Sequence, residues 1–275
     1  MNTSDLWLRQ AAAILRLEIK KSFLARRGWW IYLLALGPVG ICGLHSLVSA
    51  RSTRMHHTLN EDYHVYAGIF QFFYLRLGIF FGCVGIFSNL FRGEVLEKTL
   101  HYYFLAPVRR EVLALSKYLA GLAAAIFFFA GSVALAWLLI GAHFGPGWRE
   151  FLLGNGLAQL GWYTLTAVLA CLGYGAVFLV MGLVSRNPML PAALVMVWEG
   201  INAFLPSFLQ RFSVIFYLKS LSPVEVPVTG GLAILAVASD PAPAWLAISG
   251  LLAVSGLVLY VAARQARTME ISYSE

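Results

Sequence analysis

Six apolar runs decide what this chain can fold into. They cover roughly residues 29–48, 66–91, 118–140, 151–184, 190–209 and 244–263 of a 275-residue sequence. A helix needs about 20 mostly apolar residues to cross the hydrocarbon of a bilayer, and each run is long enough. Composition agrees. Hydrophobic residues make up 60% of the chain and charged residues 12%, against roughly 25% charged in a soluble domain. So few charges cannot cover the surface of a water-soluble enzyme of this size, and disorder needs the opposite balance. The expectation is an all-α integral membrane protein with six transmembrane helices, forming a single transmembrane domain over residues 1–275.

The runs are not alike. The fourth is too long for one upright span, and its first turns, with Gly154, Gly156 and Gly161, are expected to tilt or lie partly outside the hydrocarbon. Between the fifth and sixth runs, an external segment at 210–243 carries a short apolar stretch broken by Pro223, Pro227, Gly230 and Gly231. It reads as a re-entrant or interfacial hairpin, whose irregular backbone must be shielded by protein. Ahead of the first run, Leu8, Ala12, Leu15, Ile19 and Phe23 recur at helical spacing opposite Arg9, Arg16, Lys20 and Arg27. That pattern predicts an amphipathic interfacial helix within residues 1–28. Val48-Ser49-Ala50 resembles a cleavage site, but the long leader and the full-length apolar run favour an uncleaved span.

Lys and Arg placement sets the expected orientation. With six spans, the side holding both termini carries fourteen basic residues and the other side five, Arg76 lying within a span. The expectation is an inner-membrane protein with cytoplasmic N and C termini. A seven-span alternative would export Arg264 and Arg267 and ranks second. Because the basic residues mark cytoplasmic faces, nucleic acid is not an expected partner; membrane lipids are.

Catalytic chemistry is not visible. No Gly-Lys dipeptide occurs, so the phosphate-cradling loop GxxxxGK[ST] cannot form. There is no HExxH motif and no zinc-type Cys/His spacing. Cys42, Cys83 and Cys171 are scattered through apolar runs and read as small buried hydrophobes. His56, His57 and His64 share the first external loop and read as a solvated cluster. No catalytic residue, metal ligand or bound cofactor is expected.

The informative stretch is 92–118, RGEVLEKTLHYYFLAPVRREVLALSKY. A charged helical segment should end near Ala106, because the residue before a proline is pushed out of the helical region. A new helix should begin at Pro107 and run into the third span. Glu94, Glu97, Thr99, Leu100, Pro107, Val108, Arg109 and Lys117 resemble, in order and spacing, the signature of ABC-2 family ABC transporter permeases. Lys98 departs from it, standing where the family usually has glycine. The resemblance implies the membrane half of an ATP-driven exporter, dimerising with a second permease copy (homodimer or heterodimer) and working with two separate ABC ATPase subunits that bind ATP and magnesium. It also implies a cytoplasmic coupling segment at 92–111, with Glu94, Glu97, Thr99, Leu100, Pro107, Arg109 and Arg110 as ATPase-coupling residues. The expected substrate is amphipathic: a lipid, a hydrophobic peptide or drug, or a lipid-linked glycan.

Two charges fall inside spans. Arg76 in the second and Glu199 in the fifth both sit near the bilayer midplane, where an ion is costly and must pair or line a pathway. They are expected either to form an intramembrane pair or to line the translocation route. The rival reading, an ATP-independent channel or ion-coupled secondary transporter, makes these two the working charges. A non-transporting scaffold is the third possibility. Gly78 and Gly82 make a GxxxG pattern suited to close helix packing, within the chain or between copies. Phe70, Phe72, Phe73, Tyr74, Trp162 and Tyr163 read as an interfacial aromatic belt.

Overall fold

The structure, a computed structural model, describes residues 3–24, 29–51, 58–96, 99, 105, 109–185, 187–224, 226 and 242–268. Apolar runs become helices because hydrocarbon offers no partner to a backbone N–H or C=O, so each segment must satisfy its own. Helix α1 (Thr3–Leu24) precedes α2 (Trp29–Arg51), α3 (Leu59–Val95), α4 (Arg110–Phe144) and α5 (Pro146–Val184). Then come the short α6 (Met189–Ile201) and α7 (Val214–Ser220), and finally α8 (Ala244–Thr268). Among the described residues, five helices, α2 to α5 and α8, are long and apolar enough to cross a membrane.

The fifth apolar run is the correction. It does not form one helix over 190–209. Helix α6 stops after 13 residues, roughly 20 Å of rise, and the chain passes through a 3-10 turn at Asn202–Phe204 and a single turn at Ser207–Gln210. Pro206 closes off continuation, since it has no N–H and restricts the residue before it. Most of the expected hairpin at 222–240 lies outside the described residues.

Helix α3 starts earlier than hydropathy suggests. Thr58 caps it: its hydroxyl accepts from Glu61 N–H at 3.3 Å, and Glu61 Oε2 accepts from Thr58 N–H at 2.9 Å. This reciprocal box launches polar turns before the apolar part. The whole helix is 37 residues, about 55 Å at 1.5 Å per residue, well beyond a hydrocarbon core of about 30 Å. A wide π-helical stretch, Ile69–Gly78, interrupts it. Helices α4 and α5 are joined by a tight turn at Gly145, whose φ of 60° suits glycine, followed by Pro146 at the start of α5. As expected of its first turns, α5 is kinked, at Gly154 (φ −84°, ψ −109°).

Helices α3 and α5 form the centre of the bundle, with α8 against α5, α2 against α4, and α1 laid along the start of α4. At the α3–α5 seam, Gly182 lets the two backbones approach: a Cβ there would lie 2.8 Å from the Ser88 carbonyl oxygen. The core is aromatic. Phe70, Tyr74, Phe80, Phe87 and Tyr163 are all essentially unexposed. This corrects the belt reading for Phe70, Tyr74 and Tyr163, whereas Phe72 and Trp162 are exposed. The buried tyrosine hydroxyls serve as cross-helix ties: Tyr66 donates to Val133 O at 2.8 Å, and Tyr118 to Leu172 O at 2.9 Å.

Candidate functional site

Where α1, the end of α3 and the start of α4 meet, four charged side chains are knotted together. Lys117, about two turns into α4, has no exposed surface, and Glu18 and Glu94 are 2% and 1% exposed. The Lys117 ammonium donates to Glu94 Oε1 at 2.7 Å and to Glu18 Oε1. Lys21 reaches the same Glu94 oxygen at 3.3 Å. Among these four side chains the charges balance, two acids against two lysines, which favours the burial of Glu18, Glu94 and Lys117, while Lys21 is exposed. The cluster is not fully satisfied, because Glu94 Oε2 is buried with no hydrogen-bond partner. The Lys117 ammonium also lies 5.6 Å from the centroid of the Phe91 ring.

This arrangement relocates Glu94. It belongs to the end of α3 and faces inward, not outward from a separate coupling helix. The spacing explains it: Glu94 follows Phe87, Leu90 and Phe91 on the buried, helically repeating stripe. The next residues turn, with Thr99 N–H donating to Glu94 O at 2.9 Å. Glu97, Leu100, Pro107 and Val108 lie outside the described residues. Helix α4 begins at Arg110, with Arg109 extended as its N-cap (φ −67°, ψ 134°), rather than at Pro107. Arg109 stacks its guanidinium 4.4 Å over the Trp7 ring of α1. Arg110 Nη1 donates to the Arg267 carbonyl at 3.0 Å, and Arg267 pairs with Glu111. Helices α1 and α8 thus both fasten to the start of α4. Leu105 is 80% exposed, an apolar side chain set out from this platform.

The amphipathic pattern in α1 is present but turned. Ile14 and Glu18 form its buried line, while Ala12 and Leu17 are exposed. Glu18 was the residue sequence reasoning missed, and its signal was available: it is an acid set between Leu15 and Ile19 on the apolar side of an otherwise basic helix.

Arg76 and Glu199 form no ion pair with one another among the described residues. Glu199 caps α7 instead. Its Oε1 accepts from Val214 N–H at 3.0 Å; its Oε2 accepts from Ile215 N–H at 2.9 Å and Ser213 Oγ at 2.7 Å. A carboxylate serves well there, since the first N–H groups of a helix have no internal acceptor. Arg76 sits in the π-helical stretch of α3, half-buried, 5.8 Å from the Phe72 ring centroid. Gly82 admits the Phe129 ring of α4, where a Cβ would clash outright. The Gly78–Gly82 pattern therefore includes a contact within the chain.

At the opposite end of the bundle, Asp62 joins α2 to α4. Its Oδ2 meets His45 Nε2 at 3.1 Å and His143 Nε2 at 3.5 Å. Neither histidine stood out in the sequence, because each is single in an apolar run; His56 and His57 lie outside the described residues and His64 is exposed. Among the described residues no His, Cys, Asp and Glu group is arranged to hold a metal ion. A cavity of about 640 Å³ opens between α2, α4 and α5, lined by Tyr32, Leu36, Phe127, Leu135 and Val168; it has no charged lining.

Comparison with known proteins gives one positive finding. The family model described as ABC-2 family transporter protein matches residues 14–201, which takes in α1 from Ile14 onward and every helix through α6. No curated protein matches the chain.

Proposed function

The chain belongs to the ABC-2 family of transporter proteins, and from that premise we propose that it is the permease subunit of an ATP-driven exporter of amphipathic molecules. In this reading it works as a dimer with two separate ATPase subunits, in an inner membrane with both termini in the cytoplasm. The observation that carries the proposal is the Glu18–Lys21–Glu94–Lys117 cluster, buried except for the exposed Lys21. It ties a surface helix and two membrane helices into one unit at the two ends of the 97–108 segment. A push on that segment from an ATPase would then be delivered to α1, α3 and α4 together, as rigid bodies, rather than absorbed by a loose loop. These 275 residues hold no Gly-Lys dipeptide on which a phosphate-binding loop could be built, which fits a reading in which ATP is bound outside them.

The topology supports both termini on one side. Helix α8 ends against the start of α4, through Arg267 and Glu111. Since α5 follows α4 directly and runs back to that same face, the chain between α5 and α8 must cross once more. The pieces α6 and α7, joined at Glu199, supply a broken sixth crossing.

The test uses the chain co-expressed with its ATPase partner. Leu105→Asp and Glu97→Lys alter the segment and keep Glu18, Lys21, Glu94 and Lys117 as they are. Both are expected to insert normally, lose ATPase co-purification and abolish transport. Retention of co-purification and transport in both would remove the coupling role from this segment.

A further inference from the structure

The cavity between α2, α4 and α5 has a volume of about 640 Å³. Pockets that take small organic ligands run to about 300–1,000 Å³, so it has the size of a binding site. It lies deep in the span. The midpoints of α4 (Arg110–Phe144) and α5 (Pro146–Val184) fall at residues 127 and 165, and Phe127 and Thr164 both line the cavity. Its lining side chains Leu36, Phe127 and Leu135 are exposed on the outside of the bundle. At that depth the medium they meet is bilayer hydrocarbon, not water.

The walls are tied to one another. Ser132 of α4 donates to the Ala35 carbonyl of α2, and the Tyr74 hydroxyl of α3 joins the same Ser132 oxygen at 2.7 Å. The α4 wall is a π-helical stretch, Ile126–Ala130, a departure from regular winding of the kind that recurs at functional sites. Gly131 follows directly and keeps the space open, since a Cβ there would meet nothing within 4 Å.

The chemistry of the lining selects its occupant. Tyr32, Phe127 and Phe128 form an aromatic corner. Phe128 stands edge-on to both neighbours, with ring centroids 4.9 Å from Tyr32 and 5.5 Å from Phe127 at interplanar angles of 77° and 78°. Such rings attract a further ring, offset or edge-on, beyond the area that the contact buries. The described lining carries no charge, and its polar side chains are Tyr32, Ser132 and Thr164. An ionised group entering here would lose its water without gaining a counter-charge from these walls.

We infer that the cavity binds an uncharged aromatic molecule taken sideways from the bilayer. A saturated lipid tail would fill space there but gain nothing from the rings. The inference concerns binding alone and goes beyond the transporter reading, so failure of that reading leaves it standing.

The experiment uses the full chain in lipid nanodiscs, without ATPase. Benzophenone is the probe, because it is uncharged and aromatic and inserts into nearby C–H bonds under ultraviolet light; adducts are located by mass spectrometry. Labelling at Val168 is expected to reach a plateau as the probe is raised. Labelling at Leu44 and Leu119, exposed elsewhere on α2 and α4, should rise in proportion instead. Diphenylmethane, which is not photoreactive, should suppress the plateau, and hexadecane at the same mole fraction should not. Gly131→Phe should abolish the plateau while melting, without probe, with the parent. Phe127→Leu should weaken the saturable labelling about fivefold, the usual worth of one ring contact, and Phe127→Trp should keep it. Because Phe127 is exposed, its variants decide the matter even where Gly131→Phe fails to insert. Proportional labelling at Val168, equal suppression by hexadecane, or an unchanged plateau in Gly131→Phe or Phe127→Leu would overturn the inference.

Discussion

Lys117 shows how a single residue can depend on two others. With no exposed surface, its ammonium is held by the carboxylates of Glu94 and Glu18. Lys117→Met would take a shared cation from two buried acids, and losing one partner of a buried charge pair typically costs about 3–5 kcal/mol. The melting temperature of the detergent-purified variant should fall accordingly. Adding Glu18→Gln to Lys117→Met should recover part of the loss; strictly additive destabilisation would show that the two side chains are not coupled. Glu199 poses a different case, since it faces neutral donors rather than a cation. Glu199→Ala leaves Val214 N–H, Ile215 N–H and the Ser213 hydroxyl without their acceptor, at a cost of about 1–3 kcal/mol for unsatisfied buried groups. Glu199→Gln keeps an acceptor oxygen and should cost less. Equal melting of the two variants and the parent would mean that the cap contributes nothing to holding α7.

Between elements, close approach replaces polar pairing. At Gly182 the α3 backbone at Ser88 leaves no room for a methyl group, whereas a Cβ on Gly131 of α4 would meet nothing within 4 Å. Gly182→Ala must push two backbones apart and is expected to destabilise by about 1–3 kcal/mol, the usual range for overpacking. Gly131→Ala should stay within about 0.5 kcal/mol of the parent, as surface changes do. Equal thermal stability of the two variants would dissolve the distinction. These seams explain which elements could be read from the sequence. Helices α2 to α5 and α8 announce themselves by length and hydropathy, because a spanning helix must be apolar whatever it packs against. Their ends do not: α3 begins at a Thr58–Glu61 capping box in polar sequence, where hydropathy is silent. The break after α6 was hidden for the opposite reason, since 190–209 is apolar enough to mask Pro206. Glu199 is visible as a midplane charge, but its partners, the first turn of α7, follow no sequence period. The coupling residues divide the same way. Lys117 and Glu94 could be picked out by pattern, but their burial against Glu18 depends on how α1 is rotated on α4.

The whole molecule turns on how often the chain crosses the membrane between α5 and α8. Charge does not choose. A crossing segment puts Arg211 and Lys219 outside and Arg264 and Arg267 inside, and a returning one does the reverse. Either way fourteen basic residues share one side, the cytoplasmic one, against five on the other. Contact favours a crossing, because the end of α8 is fastened to the start of α4 by Arg267 and Glu111. If the segment merely dipped and returned, α8 would begin on the face where it should end, and Arg267 could not reach Glu111. Single cysteine reporters decide between the two arrangements in intact cells, using a thiol reagent that cannot pass the membrane. The natural Cys42, Cys83 and Cys171 are buried, so their background should be low, and replacing them removes it. Reporters at Asn60, in the first turn of α3, and Glu150, near the start of α5, should label from outside. Reporters at Lys98 and Thr268 should label only after the membrane is opened. Outside labelling at Thr268 together with Asn60 would place the end of α8 across the bilayer from the start of α4. The Arg267–Glu111 contact could not then exist, and α6 and α7 would have to be a re-entrant loop that never completes the crossing.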